Sequence, residues 1–501
     1  MNSFLKTFFA SLLAIIVSVG AIFFLFFVFF AVSLGSVMKT ETSSGTVRPN
    51  TILKMDFSVP IVESLSDNPV NYFDIMAMEF RPNSTSYDVI KSIRIATTDP
   101  QITAIYLDMT SEPMVDLANM EDIRNALLEF KNSGKKIYSY ADVYTQKSYY
   151  LSSVADSIYL CPVGELQWMG LGSVNMFFKG ALDKVGVNVE VFKYGKYKSA
   201  VEPFLLSGMS DENRLQSQRM LDNIWGRYVT AISESRNIDA AKLQEYASSL
   251  AVGSAADALK LGFVDRLAYG SDITTDGHIM SFSKYVENNH FNELIAGAGS
   301  NKNQVAVIYA DGQIVSGKSD MGVIGDKSLV KRINSAADDA NVKAIVLRVN
   351  SPGGSALASD VIDRAVRNAK MKKPVVVSMG SMAASGGYYI SSNADAIVAS
   401  PYTLTGSIGV FGLTFNAGET VTKYTGVTFD AVKTNAHADM GSPYRRMTDV
   451  ERAHFQSGVN RVYENFVNCV SNGRDMSFAA VDSIAQGRVW TTDDAVENGL
   501  V

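Results

Sequence analysis

The chain repeats itself. Tyr149-Tyr150-Leu151-Ser152-Ser153-Val154-Ala155-Asp156-Ser157-Ile158-Tyr159-Leu160-Cys161-Pro162 matches the stretch from Tyr388 to Pro401 at 8 of 14 positions, an offset of 239. Ile102–Asp108 echoes the stretch from Val342 to Arg348, and the residues from Ala256 to Gly262 echo those from Asp493 to Gly499. A sequence that returns to its own pattern after that distance must fold twice in a similar way, and 501 residues hold two domains of ordinary size, each with its own core.

Within each copy, short β-branched or aromatic runs alternate with longer helical periodicities. Val305-Ala306-Val307-Ile308-Tyr309, then Ser328 to Ala340, then Val342 to Val349 read as strand, helix, strand, and this alternation of βαβ units implies an α/β fold. Asp211 to Asn237 carries apolar residues at helical spacing between charges and reads as one long amphipathic helix. The expected organisation is an N-terminal segment over 1–40, a polar linker over 41–50, a first repeat over 51–290, a second linker over 291–303 and a second repeat over 304–501. The stretch from His278 to Asn303, rich in Asn, Gly and Ser, reads as the passage between copies.

Thr7 to Val37 holds no charged residue over 31 positions, whereas about 20 apolar residues suffice to cross a bilayer, so this stretch is expected to contact membrane lipid as a transmembrane anchor. Lys6 on one side is matched by Lys39 and Arg48 on the other, and charge bias barely sets the orientation. A net charge of −6 without basic tracts argues against a nucleic-acid partner, and no phosphate-binding glycine loop of the Walker type is present. Cys161 and Cys469 are the only cysteines, which excludes a disulfide scaffold or a Cys-rich zinc site, and both read as buried apolar fillers.

The chemistry is placed at Ser385, in Met382-Ala383-Ala384-Ser385-Gly386-Gly387-Tyr388 directly after the strand-like run from Pro374 to Met379. A serine at a strand-to-helix turn is exposed for attack, and neighbouring glycines let a second backbone bring N–H donors to an oxyanion. The spacing is not that of the Gly-x-Ser-x-Gly elbow. A histidine base is disfavoured: of His278, His290, His437 and His454, only His437 is worth weighing, and its surroundings read as a surface loop. The other solution is a lysine whose burial lowers its pKa until the neutral amine accepts the serine proton. Lys198 lies among aromatic and small residues, but Lys193 and Lys196 are close by, and the residues alone do not choose among the three.

Five segments carry a specific resemblance. Tyr197-Lys198-Ser199-Ala200-Val201-Glu202-Pro203-Phe204, Asn350-Ser351-Pro352-Gly353-Gly354-Ser355, Ala383-Ala384-Ser385-Gly386-Gly387-Tyr388, Thr405-Gly406-Ser407-Ile408-Gly409 and Gly487-Arg488-Val489-Trp490-Thr491 resemble the bacterial signal peptide peptidase A (protease IV) family in its long form, from about residue 50 onward. The resemblance implies tandem domains of the Clp protease/crotonase superfamily, built of repeated ββα units after an N-terminal transmembrane helix. It implies Ser385 as nucleophile and Lys198 as general base. It further implies an oxyanion site from the N–H of Gly386 with one from Gly353 or Gly354, and Ser407 orienting the base. No cofactor or metal is implied. The substrates implied are signal peptides and other short hydrophobic peptides. The assembly it implies is a homotetrameric ring enclosing a bowl-like chamber, and the location it implies is the cell inner membrane, single-pass, with the catalytic domains on the periplasmic side. Family members continue beyond the Gly-Leu-Val at which this chain ends.

The repeat then separates the two reacting groups. The position equivalent to Ser385 is Gln146, which has no nucleophilic oxygen, and the Ser-Pro-Gly-Gly loop is replaced by Thr110-Ser111-Glu112-Pro113-Met114. Position 198 falls near His437 or Ala438 in the second copy, so the lysine has no counterpart there. Serine and amine must come within about 3 Å, so the site is expected where repeats meet, inside one chain or between neighbours. A non-catalytic membrane scaffold and a crotonase-type acyl-CoA enzyme are the rival readings; the latter would need an acid/base carboxylate and a nucleotide pocket, and neither is signalled.

Overall fold

Six parallel strands form the sheet of the first repeat, in the spatial order Arg266–Leu267, Ser157–Leu166, Lys136–Tyr144, Ile102–Asp108, Thr51–Asp56 and His278–Ser281. Parallel neighbours need crossover connections, and the helices Ser86–Thr98 and Leu117–Asn132 supply them. Each starts on a side chain able to take up an orphan backbone N–H: Thr85 accepts from Asp88, and Asp116 from Asn119. This computed structural model describes residues 47–64, 84–273, 276–295, 303–320 and 322–501. The apolar stretch from Thr7 to Val37 lies outside them, and among the described residues no helix is long and apolar enough to cross a membrane.

The second repeat rebuilds the same plan. Gln304–Asp311, Val342–Ser351, Val375–Ala384 and Leu404–Gly406 run parallel, Ala396–Ala399 also lies against Val375–Ala384, and Val489–Thr491 closes the edge antiparallel. Asp326–Asp338 and Ala356–Lys370 are its crossover helices. The repeat extends to helix ends. Asp211–Arg236 and Asp449–Arg474 are both 26 residues long, each begins on a hydroxyl cap (Ser210, Thr448), and each ends on a left-handed residue (Asn237, Asp475). The amphipathic pattern read from Asp211 to Asn237 is therefore one unbroken helix.

The passage read over His278 to Asn303 turns out differently. His278–Ser281 is the edge strand of the first sheet, paired with Thr51–Lys54, and Phe282–Ile295 is a helix that buries Phe282, Tyr285 and Val286. An edge strand has a neighbour on one side only and an exposed face, so its sequence lacks the apolar run of a central strand. Cys469 also departs from expectation. Cys161 is buried, but Cys469 is only half-buried and accepts from Asn393 Nδ2 at 3.2 Å, with burial pushing its thiol up to about 12.

Two strands outside the main sheets join the repeats. Asn188–Tyr194 pairs antiparallel with Val410–Asn416, from Asn188 opposite Asn416 to Tyr194 opposite Val410. Aromatic stacking fastens this ribbon to the long helix of the second copy: Tyr194 lies on Tyr463 with ring centroids 3.9 Å apart, and Phe192 on Phe455 at 5.4 Å. Ion pairs tie the copies elsewhere. Buried Glu63 receives Arg348 at 2.7 Å, and the long helix of the first copy offers Arg219 to Asp494 at 2.8 Å and Arg227 to Asp493 at 2.7 Å. The glutamate is nearly inaccessible, so losing Arg348 would leave a buried charge unpaired.

Candidate active site

Ser385 follows the last residue of the strand Val375–Ala384, at the C-terminal end of the second sheet, and precedes the short helix Gly386–Tyr389. Its backbone is forced into an unusual conformation (φ 54°, ψ −118°), held by its N–H donating to the Gly406 carbonyl at 2.9 Å and its carbonyl accepting from Tyr389 at 2.9 Å. A non-glycine residue at positive φ costs of order 1–3 kcal/mol and persists only where the surroundings over-determine it. Ser407 shares the feature, with φ 49° and its N–H donating to the Arg488 carbonyl at 2.7 Å.

The ribbon between repeats delivers the amine. After Tyr194 the chain turns through Gly195, the Tyr197 N–H donates to the Gln486 carbonyl at 2.9 Å, and Lys198 points into the second copy. Lys198 Nζ lies 3.3 Å from Ser385 Oγ, 2.8 Å from Ser407 Oγ and 3.2 Å from the Ser407 carbonyl. Only 6% of Lys198 is exposed, and burial alone pushes its amine down to about 8; among the described residues no carboxylate pairs with it to offset that effect. Gly487 makes the approach possible, since a Cβ there would stand 2.8 Å from Lys198 Cβ and from its backbone nitrogen. Of the alternatives, Lys196 is exposed on the turn and Lys193 sits half-buried in the ribbon opposite Phe411.

The glycines converge on the same point. A Cβ on Gly353 (φ +99°) would stand 2.5 Å from the Gly386 nitrogen and 2.8 Å from Ser385 Cβ, so only glycine allows this approach. The Gly353 N–H donates to Ser351 Oγ at 3.1 Å, whereas among the described residues the N–H groups of Gly354 and Gly386 donate to no other backbone carbonyl. Of the two loop glycines read from the sequence, Gly354 is thus the one with its donor available. These groups line a cavity of about 770 Å³ whose walls include Met382, Val410, Phe411, Val462 and Phe466.

Two residues not singled out in the sequence hold the base loop. Glu202, 2% exposed, accepts from Ser210 Oγ at 2.5 Å and Asn213 Nδ2 at 2.9 Å. Gln216 Nε2 donates to the Tyr197 carbonyl at 3.2 Å and to Ser199 Oγ at 2.9 Å, bracketing Lys198, while its Oε1 accepts from the Val489 N–H at 3.3 Å. The available signal was a pair of amides, Asn213 and Gln216, on one face of an amphipathic helix; both are buried.

Among the described residues no histidine side chain lines this site. His437 Nδ1 pairs with Glu451 at 3.0 Å, and His278 and His454 are exposed. At the place equivalent to Ser385 the first copy is stapled shut: Gln146 Oε1 accepts from the Met169 and Gly170 N–H groups at 2.8 Å each, and Nε2 donates to the Gly170 carbonyl at 2.9 Å. Among the described residues no group of three or more His, Cys, Asp or Glu is placed to hold a metal ion.

Known proteins share this arrangement of sequence. The model of peptidase family S49 matches residues 129–278 and 367–501. The chain is 38% identical over 442 residues to Protease 4 of Haemophilus influenzae, covering 83% of this chain and 70% of that one. It is 36% identical over 499 residues to Protease 4 of Salmonella typhi, covering 96% and 80%. The chloroplastic serine protease SPPA of Arabidopsis thaliana is 30% identical over 424 residues, covering 81% and 62%. Among solved structures, ClpP1 from Listeria monocytogenes aligns over 39% of this chain and 88% of its own, at 16% identity and a TM-score of 0.24. The chain belongs to peptidase family S49 and is a serine peptidase.

Proposed function

We propose that this S49 peptidase is a membrane-anchored endopeptidase that degrades cleaved signal peptides and other short hydrophobic peptides, with Ser385 as nucleophile and Lys198 as general base. Its two repeats, over 51–290 and 304–501, are read as tandem Clp protease/crotonase-like domains. The stretch from Thr7 to Val37 is read as a single-pass anchor in the inner membrane, holding the catalytic domains on the periplasmic side. The observation that carries the assignment is a dry amine 3.3 Å from a conformationally strained serine hydroxyl.

The reaction follows from this geometry. The neutral Lys198 amine takes the Ser385 proton as Oγ bonds to the peptide carbonyl carbon, and the charge developing on the carbonyl oxygen is met by the N–H groups of Gly354 and Gly386. The resulting ammonium gives its proton to the departing amine nitrogen as the C–N bond breaks, leaving an acyl ester on Ser385. Water, deprotonated by the same amine, then releases the acid and restores the hydroxyl. The apolar walls that keep the amine dry also suit uncharged side chains next to the cleaved bond.

Both groups belong to one chain, which yields a direct test. Purified Ser385→Ala and Lys198→Ala chains should each lose peptide cleavage by about 10³-fold or more, and an acylating serine probe should label the parent protein but not Ser385→Ala. Co-assembling the two inactive chains should restore nothing. Full activity in either variant, or recovery on mixing, would contradict the assignment or its origin within a single chain.

A further inference from the structure

In the second sheet one residue stands against three. Val349 lies opposite Met379 and Ser351 opposite Ala383, so Asn350 alone faces Gly380, Ser381 and Met382. The extra residues form a bulge in the strand that leads to Ser385, and a bulge beside a site re-aims the side chains it carries. Each of its residues has its own partner. The Gly380 carbonyl accepts from Thr403 Oγ1 at 2.7 Å, Ser381 Oγ accepts from the Ala118 N–H of the first repeat at 2.9 Å, and the Met382 N–H donates to Asn350 Oδ1 at 3.2 Å. Met382, so held, forms part of the wall of the catalytic cavity.

Asn350 is itself held from behind. Its carbonyl accepts from the Gly312 N–H at 2.9 Å, a Cβ on Gly380 would stand 3.0 Å from its own Cβ, and its Nδ2 donates to Asp311 Oδ1 at 3.1 Å. The last bond decides which way the amide faces. A carboxylate only accepts, so it draws the NH2 end and turns the oxygen to Met382; with the ends exchanged, NH2 would meet N–H and oxygen would meet carboxylate, and both bonds would be lost.

We propose that Asp311 and Asn350 are positioning residues of this peptidase: the carboxylate orients the amide, and the amide fixes the bulge that carries Met382 and the approach to Ser385. The inference rests on Ser385 and Lys198 being the reacting pair. Neither Asp311 nor Asn350 lines the cavity, so both act through Met382 and the backbone around it. Protonation would release the device, since a neutral carboxyl both donates and accepts and satisfies either end of the amide. Burial pushes the Asp311 carboxyl up to about 6; the Asn350 bond and the Arg348 charge oppose the rise, and the carboxylates of Glu63 and Asp116 add to it. As pH falls through that value, the preference for one amide orientation goes with the charge.

The test follows kcat and KM on a short apolar fluorogenic peptide from pH 5 to 9 in the full-length parent, Asp311→Ala, Asp311→Asn and Ser385→Ala. Asp311→Ala should lose about tenfold in kcat with KM little changed, and Asp311→Asn, whose amide oxygen accepts the same bond at every pH, should recover part of that loss. Below pH 6 the logarithm of kcat/KM in the parent should fall with a slope approaching two, one proton for Lys198 and one for Asp311. At pH 5 that leaves the parent about tenfold beneath the slope-one line that Asp311→Asn keeps. Should Asp311→Ala fail to fold, as its melting curve will show, the slopes of the parent and of Asp311→Asn decide the matter alone. Slope one throughout in the parent, a steep limb retained in Asp311→Asn, or a rise in KM in place of the fall in kcat would overturn the proposal. Ser385→Ala separates it from the reading it rests on: activity there removes both, whereas an inactive Ser385→Ala beside a parent of slope one removes this inference alone.

Discussion

Lys198 and Ser407 face each other where the repeats meet, with Nζ 2.8 Å from Oγ and 3.2 Å from the carbonyl oxygen of the same serine. A neutral amine has two N–H bonds and one lone pair. If both N–H groups point at Ser407, whose own hydroxyl can donate towards the Gly487 carbonyl 3.5 Å away, the lone pair is left facing Ser385. In the proposed mechanism Ser407 would thereby set the direction in which Lys198 accepts a proton, which is a positioning role.

Activity should therefore follow deprotonation of Lys198. With its amine pushed down to about 8, kcat/KM is expected to rise with pH through a midpoint near 8 and level off above it, and at pH 7 to reach about a tenth of the plateau. A pH–rate profile on a short apolar peptide checks this. A midpoint near 6.5, the value for an ordinary histidine, would point to a different base.

The same burial costs stability. The amine binds its proton less tightly in the fold than in the unfolded chain, so below pH 8 both states are charged and the full cost is present. Between pH 8 and the ordinary lysine value of 10.5 only the unfolded chain is protonated, and stability climbs. Lys198→Met should thus be inactive yet more stable at pH 7 by about 2 kcal/mol, after allowing for lost hydrogen bonds, with the advantage shrinking as pH rises towards 10. Melting curves of both proteins across that range decide the matter.

Gly353→Ala should disable the site without touching either reacting group. The added methyl would fall 2.5 Å from the Gly386 nitrogen, and the backbone there has φ +99°, so the loop must withdraw from the oxyanion position. A fall in kcat of about 10²-fold or more is expected, with labelling of Ser385 by a small acylating probe reduced much less.

Gln216→Ala should loosen the base loop. It removes the bonds to Tyr197 and Ser199 that bracket Lys198 and the acceptor for the Val489 N–H. We expect kcat to fall about tenfold with KM little changed, and Gln216→Glu, which keeps the acceptor alone, to recover part of the loss. An equal rise in KM would instead place Gln216 against the substrate.

Much of the site was legible because its residues leave local marks. Ser385 lies at a strand end among glycines, and the offset of 239 exposed Gln146 as its silent counterpart. Lys198 was not separable from Lys193 and Lys196 by spacing, because what distinguishes it is a wall supplied by Ser407 and Gly487 some 200 and more positions away. His278–Ser281 reads as a passage in the sequence because an edge strand needs apolar residues on one face at most.

The sequence by itself determined that this protein is a duplicated α/β chain whose proposed nucleophile, Ser385, has no hydroxyl counterpart in the first copy. That much resides in strand and helix periodicity, in turn glycines and in a comparison of the chain with itself. Only the tertiary structure decided which lysine is dry, which loop glycine keeps a donor available, and that amine and hydroxyl meet within one chain. Burial and reach are properties of what packs around a residue, and here the packing partners come from the opposite half of the molecule.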